Sequence, residues 1–193
     1  MGPGCHVRRL LLVRHAATTA TRASAFPVDE PLDERGREAA ARLGGALPRR
    51  CDVLTSPALR CRQTAEAAGL REPTVEPAIA ECDFGGWAGR SLGGVDAAEA
   101  VAWMSDPAAC PHGGESLAAF AARVSRWLDG QAQLDGHAVA VTHGGVVKAA
   151  VRHALAAPLD AFWRIDAAPL AITELHAHEG RWTVTRVNCA VAT

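Results

Sequence analysis

The chain has 193 residues, 49% of them hydrophobic and 21% charged, which suits a globular protein with one core spanning 1–193. Its 20 Lys+Arg against 21 Asp+Glu leave a formal net charge of −1, so nothing global calls for nucleic acid or a membrane surface as partner. No stretch approaches the ~20 apolar residues of a membrane span, and Arg8 and Arg9 interrupt the only apolar run near the start, so no signal peptide and a cytoplasmic location are expected.

Val7 to Val13 reads as a buried strand with a continuous aliphatic end. Thr18 to Pro31 has no period and holds two prolines, so it reads as a loop. Asp33 is a candidate N-cap for a helix through Leu47, stopped by Gly44, Gly45 and Pro48. Cys51 to Ser56 predicts a short strand, and Pro57 a first helical turn leading to a helix that ends near Gly69. Thr74 to Ala80 predicts another strand, Asp83 to Gly89 a glycine-rich loop, and Val95 to Met104 a weak helix. In Ser116 to Leu128 the residues Leu117, Phe120, Val124 and Leu128 fall at helical spacing. His137 to His143 alternates like a strand and runs into Gly144-Gly145, opening a helix to about Ala156. Ala171 to His176 and Trp182 to Val187 predict two strands joined at Glu179-Gly180, a hairpin signal. Strands alternating with helices predict an α/β three-layer sandwich: a mostly parallel central sheet, helices on both faces and an antiparallel edge.

The six cysteines, Cys5, Cys51, Cys61, Cys82, Cys110 and Cys189, form no C-x-x-C pair and are irregularly spaced. They read as free thiols of a reducing compartment rather than a zinc site or disulfide framework. His176-x-His178 is the one tight histidine pair, and alternation puts both on the solvent face of an edge strand, so no metal is expected.

Three predicted strand ends carry similar residues: Arg14-His15 after the first, Ser56 with Arg60 one turn into the next helix, and His143-Gly144 after the late strand. In open α/β sheets ligands bind outside the carboxyl ends of the strands. Two arginines and two histidines converging there, with helix N-termini after Ser56 and His143, make a pocket suited to a phosphoryl group. Each residue alone reads more simply as a strand cap, a turn residue or a satisfied core histidine. The joint pattern is harder to explain that way.

Six segments carry a family resemblance. LLVRHAATTA (from Leu11) resembles the L-V-R-H-G signature of the histidine phosphatase superfamily, which includes phosphoglycerate mutases and many phosphatases. DEPLDERG (from Asp29) is similar to D-x-P-L-T-x-x-G, and TSPALRCRQTAEA (from Thr55) to S-x-x-x-R-A-x-Q-T-A. ECDFGGWAG (from Glu81), PHGGES (from Pro111) and VTHGGVVKA (from Val141) resemble E-x-x-F-G-x-W-E-G, P-x-G-E-S and V-S-H-G-G-x-x-R. The segments arrive in family order and cover most of the chain.

The resemblance implies roles. His15 would take the phosphoryl group, Arg14, Arg60 and His143 would hold its oxygens, and Glu81 would be the general acid and then the base, with no cofactor or metal. Such a base-and-acid pair, with fixed guanidinium forks on the equatorial oxygens, is what phosphoryl transfer asks for. Gly144, at the helix start, would be a further phosphate contact. Three positions depart from the pattern: Ala16 follows Arg14-His15 where Gly is usual, Thr21 stands where Asn is frequent, and the R-x-Q-G element before Asp29 is missing, with Arg22 a candidate replacement for its charge.

The resulting expectation is a phosphomonoesterase acting on a phosphorylated small molecule through a phosphohistidine on His15, as a monomer or homodimer. The rivals are a phosphoglycerate mutase-type phosphotransferase, a non-catalytic phosphate-binding module and a metal-dependent hydrolase. The short stretch from Glu81 to Gly114 disfavours the first, and His15 together with Glu81 disfavours the second.

Overall fold

A computed structural model describes residues 7–191. Six strands form one sheet of order β3-β2-β4-β1-β5-β6: β1 (Val7–Arg14), β2 (Asp52–Thr55), β3 (Thr74–Val75), β4 (Gly136–Thr142), β5 (Ile172–His178) and β6 (Arg181–Cys189). β1, β2, β3 and β4 run parallel, while β5 pairs antiparallel with both β1 and β6. The predicted mostly parallel sheet with an antiparallel edge is thus the observed one.

Alternation along β1 builds two cores from one strand. Leu10 and Leu12 point to a cluster containing Phe120, Val124 and Leu128 of α5 (Leu117–Gln131) and Val146, Val147 and Ala150 of α6 (Gly144–Ala154). Leu11 and Val13 point the other way, onto Leu43 of α2 (Glu34–Leu43) and Leu47. All four β1 residues are fully buried, each contributing roughly 1.5–3 kcal/mol of hydrophobic stabilisation. β4 lies at the sheet centre, so Ala138 to Thr142 is buried on both faces rather than alternately.

The helix termini follow their caps. The Asp33 carboxylate accepts from Gly36 N at 2.6 Å and starts α2, and Ser116 Oγ accepts from Ala119 N at 3.2 Å and starts α5. Glu179 and Gly180 both have positive φ, 49° and 76°, the requirement of a two-residue type I′ hairpin between β5 and β6.

Several boundaries differ from the predicted ones. The stretch predicted as loop, Thr18 to Pro31, holds the four-residue helix α1 (Thr19–Arg22), whose Thr18 hydroxyl accepts from Thr21 N. α2 ends at Leu43 and continues as one 3₁₀ turn, Gly44–Ala46; any side chain on Gly44 would overlap the Ala68 carbonyl. Helix α3 (Leu59–Ala67) begins after Pro57 rather than on it. The predicted strand Thr74 to Ala80 stops at Val75, because Pro77 offers no donor to a ladder and instead opens the 3₁₀ turn Pro77–Ile79. Helix α4 is Ala97–Ser105. A 3₁₀ segment, Leu159–Arg164, was not anticipated.

Cys51, Cys61, Cys82, Cys110 and Cys189 are free thiols, and Cys5 lies outside the described residues. No helix among the described residues is long and apolar enough to cross a membrane.

Candidate active site

Sheet register brings three chain segments to one edge. Arg14 is level with Thr142 across β1 and β4, and Thr55 is level with Val141 across β2 and β4. The ladder extends one residue further: His15 N donates to Thr142 O at 2.8 Å and Ser56 N to Val141 O at 3.0 Å. His15, Ser56 and His143 are therefore side by side at the carboxyl end of the sheet, where α6 begins.

The histidines are held neutral and in defined tautomers. His15 is 5% exposed. Its Nδ1–H donates to Ala16 O at 2.7 Å, so Nε2 carries the lone pair and accepts from Arg60 Nε at 3.2 Å. Burial, reinforced by the Arg60 cation, pushes the His15 pKa down to about 3. The His143 ring lies edge-on to it, centroids 5.2 Å apart. His143 Nδ1 accepts from Arg60 Nη2 at 3.1 Å, which leaves Nε2–H to donate to Ser56 Oγ at 2.7 Å. Complete burial, then the neighbouring His15 and Arg60, hold its pKa well below the usual histidine value.

Arg60 is the hub. Besides the two imidazoles its Nη1 donates to Val28 O at 2.7 Å and lies 3.8 Å from the Glu30 carboxylate. Glu30 is itself anchored by the Thr18 hydroxyl at 2.9 Å. Ala16 is fully buried against Leu32 and Ala40, and its φ is not among the positive ones. The methyl that replaces the family glycine therefore meets no backbone conflict. Arg14 Nη1 donates to Ala167 O at 2.6 Å.

Glu81 sits on the N-terminus of α6. Its Oε2 accepts from Gly145 N at 3.2 Å and its Oε1 from Cys82 N at 3.1 Å, a position favourable to an anion. Any side chain at position 145 would overlap Oε1, which explains the second glycine after His143. The segment bearing Glu81 is clamped from beneath. Arg123 of α5 donates to Ala78 O, Ala80 O and Glu81 O and pairs with both oxygens of Glu115 at 3.0 and 2.7 Å. Gly85 and Gly114 let the Asp83 and His112 loops cross at backbone distance. Asp83 is exposed and caps Gly85 N.

Two cavities meet at Glu81, Cys82 and Phe84. One, about 330 Å³, is bounded by Ser56, Arg60, Glu81 and His143; the other, about 210 Å³, by Arg14, Glu81, Gly144 and Gly145. The predicted set Arg14, His15, Arg60, Glu81, His143 and Gly144 is brought together. Thr21 and Arg22 line neither cavity: the Thr21 hydroxyl bonds to Thr18 at 3.0 Å, and Arg22 is paired with Asp33 at 2.7 Å on the surface. Glu30, Arg123 and Glu115 carry no sequence signal as site residues, and Ser56 reads only as a strand end. Ser56 sits in the quoted T-S-P segment, and Glu115 in G-G-E-S, but neither segment reveals a partner 87 or 8 residues away. His176 and His178 are exposed on one face as expected, but their strand β5 is not an edge strand: it is paired on both sides, with β1 and β6. Among the described residues no group of three or more His, Cys, Asp or Glu is disposed to hold a metal ion.

A mostly parallel α/β sheet whose strand ends gather two arginines, two neutral histidines and a helix N-terminus defines a phosphoryl-handling protein. Residues 10–190 match the histidine phosphatase superfamily (branch 1), and the chain belongs to that family. It is 34% identical over 173 residues to a glucosyl-3-phosphoglycerate phosphatase of Mycolicibacterium vanbaalenii, covering 80% of this chain and 77% of that protein. Among solved structures, a mycobacterial glucosyl-3-phosphoglycerate phosphatase complexed with VO3 superposes with a TM-score of 0.84 at 26% identity, covering 95% of this chain and all of that one. An α-ribazole phosphatase of Shigella flexneri superposes with a TM-score of 0.81 at 26% identity, covering 96% and 100%. Family and relatives together support phosphatase activity.

Proposed function

We propose that the protein is a metal-independent phosphomonoesterase that hydrolyses a phosphorylated small molecule through a phosphohistidine on His15. The observation that carries this reading is the His15 imidazole: neutral, with Nδ1–H committed to Ala16 O and the Nε2 lone pair facing Arg60. In the first step Nε2 attacks phosphorus and the ester P–O bond breaks. Glu81 passes a proton to the departing alkoxide. Arg14, Arg60, His143 and the N-terminus of α6 surround the oxygens, supplying the charge neutralisation that phosphoryl transfer needs. In the second step the Glu81 carboxylate removes a proton from water, which attacks the phosphohistidine. The P–N bond breaks, inorganic phosphate leaves, and both His15 and Glu81 are regenerated.

The test combines His15→Ala with rapid acid-free quench of wild type on labelled substrate, both in excess chelator. The reading expects wild-type turnover to persist in chelator, acid-labile and base-stable label on His15, and no turnover by the variant. Activity that vanished with chelator and returned with zinc or magnesium, or substantial turnover by His15→Ala, would overturn it.

A further inference from the structure

Arg60 turns two sides of its guanidinium to two different surroundings. The Nε and Nη2 edge meets the imidazoles, 3.2 Å from His15 Nε2 and 3.1 Å from His143 Nδ1. The Nη1 end points to the segment before α2, where it donates to Val28 O at 2.7 Å and lies 3.8 Å from Glu30 Oε2. The bond to Val28 O fixes the direction of the guanidinium. The Glu30 carboxylate stands beyond hydrogen-bond reach, so it acts on Arg60 by its charge and not by orienting it.

Glu30 is held at that distance. Thr18 is fully buried, and its hydroxyl donates to Glu30 Oε1 at 2.9 Å. Having given its one proton, Thr18 Oγ1 accepts from Thr21 N at 3.1 Å and from the Thr21 hydroxyl at 3.0 Å. The tether leaves Glu30 Oε2 buried without a hydrogen-bond donor, on a side chain only 12% exposed. Such an oxygen is costly. A fold that needed Glu30 only to anchor Arg60 would gain by letting the two groups close. In the sequence Glu30 stands at the open position of the D-x-P-L segment, Asp29 to Leu32.

The charge bears on what leaves the site. With His15 and His143 neutral, Arg14 and Arg60 are the cations among the predicted phosphate-holding residues. Inorganic phosphate is more than singly charged at neutral pH, and two guanidiniums would hold it as firmly as they hold the reacting group. Binding that is equal in the two states does not raise kcat. We propose that Glu30 is a positioning residue acting through Arg60: kept off the guanidinium by Thr18, it offsets part of that charge, so that inorganic phosphate leaves and the site is free for the next ester. This rests on the phosphomonoesterase reading above, whose product is that phosphate.

The experiment measures Kd by calorimetry for sulfate, a dianion, and methanesulfonate, a monoanion of similar tetrahedral shape, on wild type, Glu30→Gln and Glu30→Asp. Steady-state kinetics on p-nitrophenyl phosphate, with inorganic phosphate as inhibitor, run beside it. Glutamine keeps the size of the side chain and the acceptor for Thr18. In Glu30→Gln the sulfate Kd and the phosphate Ki should fall by roughly three- to thirtyfold, the range of one charge lost beside an anion site. The methanesulfonate Kd should fall less, KM should fall with Ki, and kcat should not rise. Glu30→Asp keeps the charge and should stay close to wild type. A residue that merely oriented Arg60 would do the reverse, and its loss would weaken both anions. Thermal melts confirm folding, and Glu30→Met replaces the glutamine variant if that one does not fold. A phosphate Ki unchanged or raised in Glu30→Gln, or equal gains for the two anions, would overturn the inference while leaving the phosphatase reading intact. No turnover of p-nitrophenyl phosphate by wild type would overturn both.

Discussion

Arg60 Nε lies 3.2 Å from Nε2 of His15, so the same guanidinium that would bind phosphate touches the nitrogen that would attack it. That contact has two measurable consequences. Removing the cation removes one of the causes that depress the His15 pKa, so in Arg60→Ala the His15 resonance should titrate well above the wild-type value of about 3. The loss of a preorganised donor to the developing charge should also cut kcat by about 10²–10³. An unshifted His15 titration by NMR would show that burial alone sets its charge state.

Glu81→Gln separates proton transfer from simple positioning. The amide keeps the size of the side chain but cannot supply or remove the proton. The loss should be about 10²–10⁴-fold on an alkyl phosphate and much smaller on p-nitrophenyl phosphate, whose leaving group needs little protonation. Equal losses on the two substrates would assign Glu81 to holding the loop, with the proton coming from elsewhere.

The two glycines after His143 should behave differently. A methyl at Gly145 collides with Glu81 Oε1, whereas one at Gly144 comes only within 3.4 Å of the Arg14 side chain. Gly145→Ala should therefore reproduce the substrate dependence of Glu81→Gln, with alkyl esters hit harder than aryl ones. Gly144→Ala should lower both rates together. Steady-state kinetics on the two esters checks this, and a uniform loss in Gly145→Ala would contradict it.

Acid sensitivity of the fold follows from the buried imidazoles. The folded pKa of His15 is about 3, against an ordinary histidine value of 6.5, and that of His143 is lowered in the same sense. Below pH 6.5 the unfolded chain binds protons that the folded one refuses, so stability falls as pH falls. The slope approaches ~1.4 kcal/mol per pH unit for each histidine. Glu174, held at about 2 by the hydrogen bond from Arg9, contributes stability that is lost only as pH drops below the ordinary glutamate value of 4.5. Urea unfolding between pH 7 and 4.5 therefore isolates the histidines. His15→Gln should flatten the profile, and a wild-type profile flat over that interval would refute the assignment.

Much of the fold could be read along the chain because its signals are local. The aliphatic run Leu10 to Val13, the Asp33 cap and the Glu179-Gly180 turn each act within a few residues, and each appears where expected. The misplacements fall where a local signal met a competing one. Pro77 ended a strand that Thr74 and Val75 had begun, and Thr18 opened a short helix inside what reads as a loop. Arg22 shows the same limit at the site. Its charge suggested phosphate contact, but Asp33, eleven residues on, is within reach and takes it.

By itself the sequence determined the element order, the strand ends that carry Arg14, His15, Arg60 and His143, and the glycines and capping residues that let the chain turn there, because these depend on side-chain type and near-neighbour spacing. The tertiary structure decided what those residues are. Burial keeps both histidines neutral, Arg60 joins rings 45 and 83 residues away, and Arg123 reaches across the sheet face to hold the Glu81 segment. Charge state and tautomer depend on dielectric and on donors brought from distant segments, and neither exists until the sheet has put those segments side by side.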